Sequence, residues 1–216
     1  MDNLKKYVLA NSTPEDFLLS SLERTTNHRA IHPRMVSGHI QGKLLEMLTR
    51  MLDPRNILEI GTFTGYSALS FAAGLNKEGI IDTIEVDDEL EEIALSFFEK
   101  SPHGCKIKMH VGSALEIAPT LGKQFDLIFI DGDKREYPDY YRMIMGEAPF
   151  KVPLVKNGTY MLADNILWYG KVAEPELYKD PHTRAIIEFN EMVAADDRVE
   201  NIIIPLRDGL NLIRVK

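Results

Sequence analysis

The sequence predicts an α/β fold built on a doubly wound, mostly parallel sheet, with extra helices before the first strand and an antiparallel hairpin at the C-terminus. Short apolar runs alternate with helix-length amphipathic segments from residue 56 onward, which is typical of parallel strands joined by helices. The run 125–130 is almost entirely apolar, as expected for a strand buried on both faces. The last two runs are joined by Arg207-Asp208-Gly209, whose turn chemistry favours a hairpin.

Length and charge restrict the class of protein. A chain of 216 residues is long enough for one domain with a single core, so we expect one domain over residues 1–216. The net charge of −8 opposes binding to a phosphate backbone, and we expect no nucleic-acid partner. No apolar run approaches the length of a membrane span and the N-terminus lacks the apolar core of a secretory signal, so we expect no membrane partner and a cytoplasmic location.

The segment before the first strand is predicted to be helical with one loop. Thr13 followed by Pro14 predicts the start of a helix, with Thr13 as its N-cap. Residues 27–34 contain two histidines and a proline, which suggests a loop. An amphipathic helix then covers 44–52 and ends before Pro54.

Strands and helices alternate through the rest of the chain. The predicted strands cover residues 57–60, 79–86, 107–111, 125–130, 159–163, 200–205 and 210–215. The predicted helices cover residues 66–75, 88–100, 137–147 and 182–194, with a short one after residue 114. In an open parallel sheet ligands bind at the carboxyl ends of the strands, so the residues that follow each strand are the candidates for a site.

The first strand ends in an acidic, glycine-containing turn. Gly61 follows Glu59 by two positions, and Gly65 lies four positions later, directly before a helix. This pattern indicates a strand, a tight turn and a helix N-terminus with free backbone N–H groups. The middle glycine of a dinucleotide fingerprint is missing, and the carboxylate of Glu59 would repel phosphates but hold a cationic amino-acid group. The turn therefore favours S-adenosylmethionine over NAD.

The stretch Glu59-Ile-Gly-Thr-Phe-Thr-Gly-Tyr-Ser67 resembles the cofactor motif of the class I methyltransferases, and specifically of the cation-dependent O-methyltransferases that include catechol and caffeoyl-CoA O-methyltransferases. The likeness covers residues 35–216 and continues in three later segments: 131–134, 164–168 and 205–210. It implies a Rossmann-like methyltransferase fold in which the helices of residues 1–55 cover the active-site edge. It also implies a homodimer.

The acid at the end of the second strand is the candidate ribose ligand. Glu85 lies twenty positions after Gly65, where a carboxylate can accept both hydroxyls of an adenosine ribose, although a lone acid there is otherwise a solvated loop charge. The resemblance implies that the remaining cofactor contacts come from Met35, Glu59, Gly61, Gly65, Tyr66, Ser67, Ala114 and Asp131. For Met35 the alternative is plain packing, because methionine often fills gaps between side chains.

Three oxygen ligands follow two strands that are expected to be neighbours. Asp131 follows the buried strand, and Asp164 and Asn165 follow the next one. A set with carboxylate and amide oxygens but no thiolate or imidazole suits Mg²⁺, with Mn²⁺ or Ca²⁺ as alternatives. An Asp-Asn pair by itself most often forms a turn. Three protein oxygens on an octahedral ion would leave three positions, enough for two vicinal substrate hydroxyls and one water.

Candidate catalytic and substrate residues lie beside these ligands. Lys134 is one helical turn beyond Asp131, and the resemblance implies that it is the general base for a phenolic proton; the alternative is a solvated loop lysine. Trp168, the only tryptophan, and Tyr169 follow the metal pair and would form an aromatic wall for an aryl substrate. A core anchor is the alternative for Trp168.

These features together predict an S-adenosylmethionine-dependent and divalent-metal-dependent O-methyltransferase that acts on a small vicinal dihydroxy aromatic molecule. Two alternatives stay open: a nucleotide- or S-adenosylmethionine-binding module without catalysis, and a class I methyltransferase with a different acceptor. The acceptor itself is not specified, because residues 1–34 and 169–181, which would build the substrate wall, match no pattern.

Overall fold

The computed structural model describes residues 3–216, which form a seven-stranded sheet with helices on both faces. The strands are β1 (Asn56–Ile60), β2 (Ile80–Glu85), β3 (Ile107–Val111), β4 (Leu127–Ile130), β5 (Tyr160–Asp164), β6 (Val199–Ile204) and β7 (Leu210–Val215). Their order in the sheet is β3-β2-β1-β4-β5-β7-β6, with β1 to β5 parallel and β7 antiparallel to both β5 and β6. The predicted doubly wound sheet and its C-terminal hairpin are confirmed.

The α-helices are α1 (Asn3–Ala10), α2 (Phe17–Arg29), α3 (Gly38–Leu52), α4 (Tyr66–Gly74), α5 (Glu91–Lys100), α6 (Ala114–Ile117), α7 (Tyr137–Met145) and α8 (Pro181–Ala195). The helices after the first strand follow the predicted alternation closely. None of the helices within residues 3–216 has the length and apolar content needed to cross a membrane. Residues 1 and 2, which the predicted domain includes, lie outside the described residues.

The N-terminal segment differs most from prediction. Helix α2 begins at Phe17 instead of Thr13, because the carboxylate of Asp16 caps it by accepting the backbone N–H of Leu18 at 2.8 Å. The helix also runs to Arg29, into the predicted loop. Helix α1 was not predicted, and none of its side chains is buried, although Leu4, Tyr7 and Val8 have helical spacing.

Two hydrophobic clusters cover the two faces of the sheet. On one face Phe71 of α4 packs edge-on against Phe129 of β4, with ring centroids 5.4 Å apart. On the other face Tyr137 of α7 packs against Phe189 of α8, also at 5.4 Å. Burial on both faces explains why the central strands are continuous apolar runs. The same packing holds the central strands, and therefore their ends, in fixed positions.

The order of the sheet reverses at β1, which lies between β2 on one side and β4 on the other. A crevice opens at the carboxyl edge of such a switch point, and ligands bind there. The hydroxyl of Tyr137 ties the neighbouring strand ends together, because it lies 3.1 Å from the carbonyl oxygen of Ile130 and 2.9 Å from that of Asp164. The ends of β4 and β5 are therefore held at a defined separation.

Replacing Tyr137 with Phe tests this tie. The variant leaves two buried carbonyl oxygens without their shared donor, so we expect the free energy of unfolding to fall by about 1–3 kcal/mol. Tyr141→Phe is the matched control, because the Tyr141 hydroxyl donates to the Asp196 carboxylate, which Arg198 also holds. Urea unfolding of both variants provides the measurement, and an equal loss in the two would contradict a special role for Tyr137.

Candidate active site

Two glycines shape the turn between β1 and α4. Gly61 has a φ of +96°, and a Cβ added there would lie 2.4 Å from the carbonyl oxygen of Asp131. Gly65 has a φ of +91°, and its Cβ would lie 2.5 Å from the ring of Phe98. Any other residue would be strained and would clash at either position. The turn can therefore lie directly against the end of β4, and it joins a strand to a helix as the glycine motif predicted.

Glu59 is a fully buried acid with one unsatisfied oxygen. Its Oε2 atom accepts the Thr83 hydroxyl at 2.5 Å, whereas its Oε1 atom is buried with no hydrogen-bond partner. Burial raises the pKa of Glu59 to about 8, and the hydroxyls of Ser67 and Thr83 offset only part of that effect. A cationic amino group would satisfy the oxygen and favour the ionised acid. The residue thus fits the amino-acid end of S-adenosylmethionine.

Glu85 supports the same turn from the end of β2. Its Oε2 atom accepts the backbone N–H groups of Phe63 at 2.6 Å and Thr62 at 3.1 Å, and its Oε1 atom accepts that of Asp87 at 3.0 Å. The next strand end is close, since the N–H of Gly112 donates to the carbonyl oxygen of Glu85 at 2.7 Å. The acid proposed to bind the ribose therefore also organises the loop.

The predicted adenine contact follows the third strand. Ala114 is the first residue of α6, it is buried, and Ser113 precedes it as the helix N-cap residue. A side chain of this size suits packing against a flat ring at that strand end.

Elements from the N-terminal segment contact the cofactor turn. The Tyr66 hydroxyl donates to the carboxylate of Glu15, and the hydroxyls of Thr26 and Thr64 lie 2.8 Å apart. Met35 lies in a single 3-10 turn and its side chain is 58% exposed, so it is not a core packing residue. Helix α2 thus packs against the turn that follows β1 and is hydrogen-bonded to it through Thr26.

The three predicted oxygen ligands lie at the ends of neighbouring strands. Asp131 follows β4, and Asp164 ends β5, with Asn165 next to it in the left-handed conformation at a φ of 58°. Burial raises the pKa of Asp131 to about 6; Lys134 lowers it and the charge of Asp164 raises it further. Among residues 3–216 no group of three His, Cys, Asp or Glu side chains could hold a metal ion, so a cation at this edge would depend on the amide oxygen of Asn165.

Lys134 is held against the first of these carboxylates. Its Nζ atom donates to Asp131 Oδ1 at 2.6 Å and to the carbonyl oxygen of Gly132 at 3.1 Å. The same atom lies 5.1 Å from the centroid of the Tyr137 ring. The solvated-lysine alternative does not describe this side chain, because it is largely buried.

The aromatic pair after β5 is locally strained. Trp168 and Tyr169 both have positive φ values, 45° and 57°. The Trp168 ring stacks on His182 at 5.8 Å, its Nε1 atom is buried without a partner, and Tyr169 is 80% exposed. Backbone strain of this kind clusters at functional sites. His182 was not predicted at the site, because a lone histidine at a helix start has no distinctive spacing.

Sequence reasoning also missed Gln41, Arg207 and Asp208. Gln41 donates to Asp164 Oδ2 at 2.6 Å, and Asp208 Oδ1 accepts the backbone N–H of Tyr169 at 2.6 Å. The segment of Arg207 and Asp208 was recognised as a turn and as part of the family resemblance, but neither residue was assigned to the site. A signal for Gln41 existed, since it lies four residues before Leu45 on the buried face of α3, where a polar residue is unexpected.

A sequence profile of the O-methyltransferase family matches residues 9–216. The chain belongs to the O-methyltransferase family. The caffeoyl-CoA O-methyltransferase of Petroselinum crispum is 34% identical to this methyltransferase over 228 residues, which cover 99% of this chain and 90% of that protein.

Solved structures agree with the family assignment. The O-methyltransferase TomG from Streptomyces achromogenes, in complex with S-adenosylmethionine, superposes with a TM-score of 0.89 at 30% identity and covers 100% of this chain and 96% of its own. The O-methyltransferase from Bacillus cereus, in complex with S-adenosylhomocysteine, gives a TM-score of 0.87 at 29% identity, with 99% and 97% covered. This methyltransferase is therefore an S-adenosylmethionine-dependent enzyme, and the alternative of a binding module without catalysis is set aside.

The buried acid Glu59 predicts a pH-dependent stability of the cofactor-free protein. Its folded-state pKa of about 8 lies above the ordinary value of 4.5, so the folded state retains a proton that the unfolded state releases. Stability from this group is present below about pH 4.5 and is lost as the pH rises to about 8. We expect Glu59→Gln to flatten the fall in the free energy of unfolding between about pH 6 and pH 8, above the window of Asp131.

Urea unfolding of the wild type and the variant across this range provides the measurement. Saturating S-adenosylhomocysteine should also reduce the slope in the wild type, because its ammonium favours the ionised carboxylate. An unchanged slope in Glu59→Gln would show that another group titrates.

Proposed function

We propose that this methyltransferase transfers the methyl group of S-adenosylmethionine to one hydroxyl of a small vicinal dihydroxy aromatic compound, with the help of a divalent cation. One observation carries the proposal: the ends of β4 and β5 bring Asp131, Asp164 and Asn165 to one edge, where the amine of Lys134 already contacts Asp131. Three hard oxygen donors beside a proton acceptor form a site for a hydroxylated acceptor.

The cofactor would lie across the switch point. In this arrangement the unsatisfied Oε1 atom of Glu59 accepts the ammonium group, and Glu85 accepts the ribose hydroxyls. Ala114 supports the adenine ring at the end of β3. The remaining contacts assigned from the sequence are Met35, Gly61, Gly65, Tyr66, Ser67 and Asp131.

The cation would be held by Asp131, Asp164 and Asn165. Two carboxylates and an amide fit Mg²⁺ best, with Mn²⁺ or Ca²⁺ as alternatives. When bound, such an ion supplies a Lewis acid that acidifies a hydroxyl and a template that orients two adjacent oxygens. Burial raises the pKa of Asp131 and the charge of Asp164 raises it further, and a divalent charge would offset both effects.

Lys134 performs the proton transfer in this proposal. Its neutral Nζ atom accepts the acceptor's hydroxyl proton, and the oxygen attacks the methyl carbon as the bond from that carbon to sulfur breaks. The products are a methyl ether, S-adenosylhomocysteine and an ammonium on Lys134. Asp131 Oδ1, 2.6 Å from Nζ, stabilises that ammonium. Positioning of the attacking oxygen in line with the sulfur supplies much of the rate.

Trp168 and Tyr169 would form the wall against which the acceptor ring packs. The relatives named caffeoyl-CoA O-methyltransferases support an acceptor with a phenolic group. We further propose that residues 1–216 act as one domain whose first 55 residues cover the active-site edge, as the contacts of Thr26 and Gln41 suggest. The homodimer stays a prediction.

The cation site is tested by exchanging its carboxylates. Asp164→Asn and Asp131→Asn should each weaken Mn²⁺ binding by more than about a hundredfold, because even the residues behind metal ligands typically account for about 10–100-fold. Asp133→Asn is the matched control in the same segment, since its carboxylate pairs with the exposed Arg135. Electron paramagnetic resonance of free Mn²⁺ measures the affinity, and full turnover after exhaustive chelation would exclude a required cation.

The acceptor is tested with matched pairs of 1,2- and 1,3-dihydroxy aromatics, together with monophenols. Only adjacent oxygens can occupy neighbouring positions on one ion, so we expect the 1,2 isomer to react about a hundredfold faster, the effect of correct positioning. Labelled S-adenosylmethionine with Mg²⁺ provides the assay. Equal rates on both isomers would mean that the acceptor does not chelate the cation, and methylation of none of them would favour a different acceptor class.

A further inference from the structure

Gln41 lies on α3, far along the chain from the strand ends, yet it contacts a candidate metal ligand. Its side chain is only 1% exposed, and its Nε2 atom donates to Asp164 Oδ2 at 2.6 Å. The other oxygen of Asp164 accepts the backbone N–H of Asn165 at 2.8 Å. Each oxygen of this buried carboxylate therefore has one donor, and the two donors fix the plane of the carboxylate.

The amide of Gln41 is itself held in one orientation. Its Oε1 atom faces the Nη1 atom of Arg207 at 3.4 Å, and the Nη2 atom of the same guanidinium donates to the carbonyl oxygen of Val36 at 3.1 Å. Because a guanidinium can only donate, the amide oxygen must face Arg207 and the amide nitrogen must face Asp164. Arg207 itself adopts a φ of 53° in the turn between β6 and β7.

We propose that Gln41 and Arg207 are positioning residues for the cation site: Arg207 orients the amide of Gln41, and the amide orients the carboxylate of Asp164. The inference rests on the proposed function, because it assigns Asp164 as a ligand. Partners behind metal ligands set ligand orientation and account for a large share of affinity. A carboxylate keeps further lone pairs when each oxygen accepts one hydrogen bond, so the donor from Gln41 and a cation can bind Asp164 together.

The chain offers no simpler reason for a glutamine at this place. The other buried polar side chains of α3 have partners within the helix: Glu46 pairs with Lys43 and Arg50, and the Thr49 hydroxyl donates to the carbonyl oxygen of Leu45. A buried amide is costly unless its polar atoms are paired, and both atoms of Gln41 find their partners on elements after residue 160. Through Arg207 the network also reaches Val36, next to the candidate cofactor residue Met35.

The test uses the whole protein and two ligands. Gln41→Met keeps the length of the side chain and removes both hydrogen bonds, and we expect about 10–100-fold weaker Mn²⁺ binding with S-adenosylhomocysteine affinity unchanged within about twofold. Gln124→Met is the matched control, because Gln124 donates to the carbonyl oxygen of Val155 away from the site. Mn²⁺ affinity is measured by electron paramagnetic resonance and S-adenosylhomocysteine affinity by calorimetry.

A double-mutant cycle tests the role of Arg207. Arg207→Lys should weaken Mn²⁺ binding in the wild-type background and have no further effect when Gln41 is already Met, since Arg207 acts through the amide. Additive losses would overturn that part of the inference. The single variant Arg207→Lys also tests the inference if Gln41→Met does not fold, because wild-type Mn²⁺ affinity in it would overturn the role of Arg207.

The possible results distinguish the positioning role of Gln41 from the proposed cation site on which it rests. Wild-type Mn²⁺ affinity in Gln41→Met would overturn the inference and leave the proposed cation site standing. Equal weakening of Mn²⁺ and S-adenosylhomocysteine would show a merely structural role and would also overturn it. A wild-type protein that binds no Mn²⁺ would overturn both.

Discussion

The contact between the ends of β1 and β4 is the constraint on which the site depends. Gly61 lies so close to Asp131 that no side chain fits between them, and this closeness draws the acids Glu59 and Asp131 into one poorly solvated crevice. Burial disfavours the charged form of a carboxyl group, and it therefore raises the pKa of both Glu59 and Asp131. The ends of β1 and β4 thus bring together two buried acids whose ionised forms would stabilise a positively charged ligand.

Two positive ligands of different kinds would satisfy this region from opposite sides. Glu59 faces α4, with the hydroxyls of Ser67 and Thr83 around it, and it can take an ammonium group. Asp131 faces β5 and Lys134, and it can share a cation with Asp164. In the ligand-free protein Lys134 serves as the internal counter-ion of Asp131. A cation held by Asp131 and Asp164 would share the Asp131 carboxylate with Lys134.

The parts of the structure that follow local rules were predictable. Strand runs, the hairpin and the order of acids at strand ends depend on periodicity and turn chemistry, and they agree with the structure within two residues. The N-terminal start was wrong because two capping residues, Thr13 and Asp16, compete within four positions and the stronger hydrogen-bonded cap formed at Asp16. Helix α1 was not predicted, because its eight residues carry only one short apolar stripe, Leu4, Tyr7 and Val8, and no capping residue was identified before it.

The parts that depend on contacts between distant residues were not predictable. Gln41 and Asp164 are 123 positions apart, and no periodicity in either segment signals that an amide and a carboxylate will meet. Trp168 stacks on His182 from a backbone with positive φ, a conformation that no local pattern of its residue type favours. Family motifs predict which residues carry the chemistry, whereas the residues from distant segments that contact them are seen only in the folded structure. Since orientation decides how a cation and an acceptor sit against the methyl group, differences among relatives with the same motif residues are expected to arise in this second group of contacts.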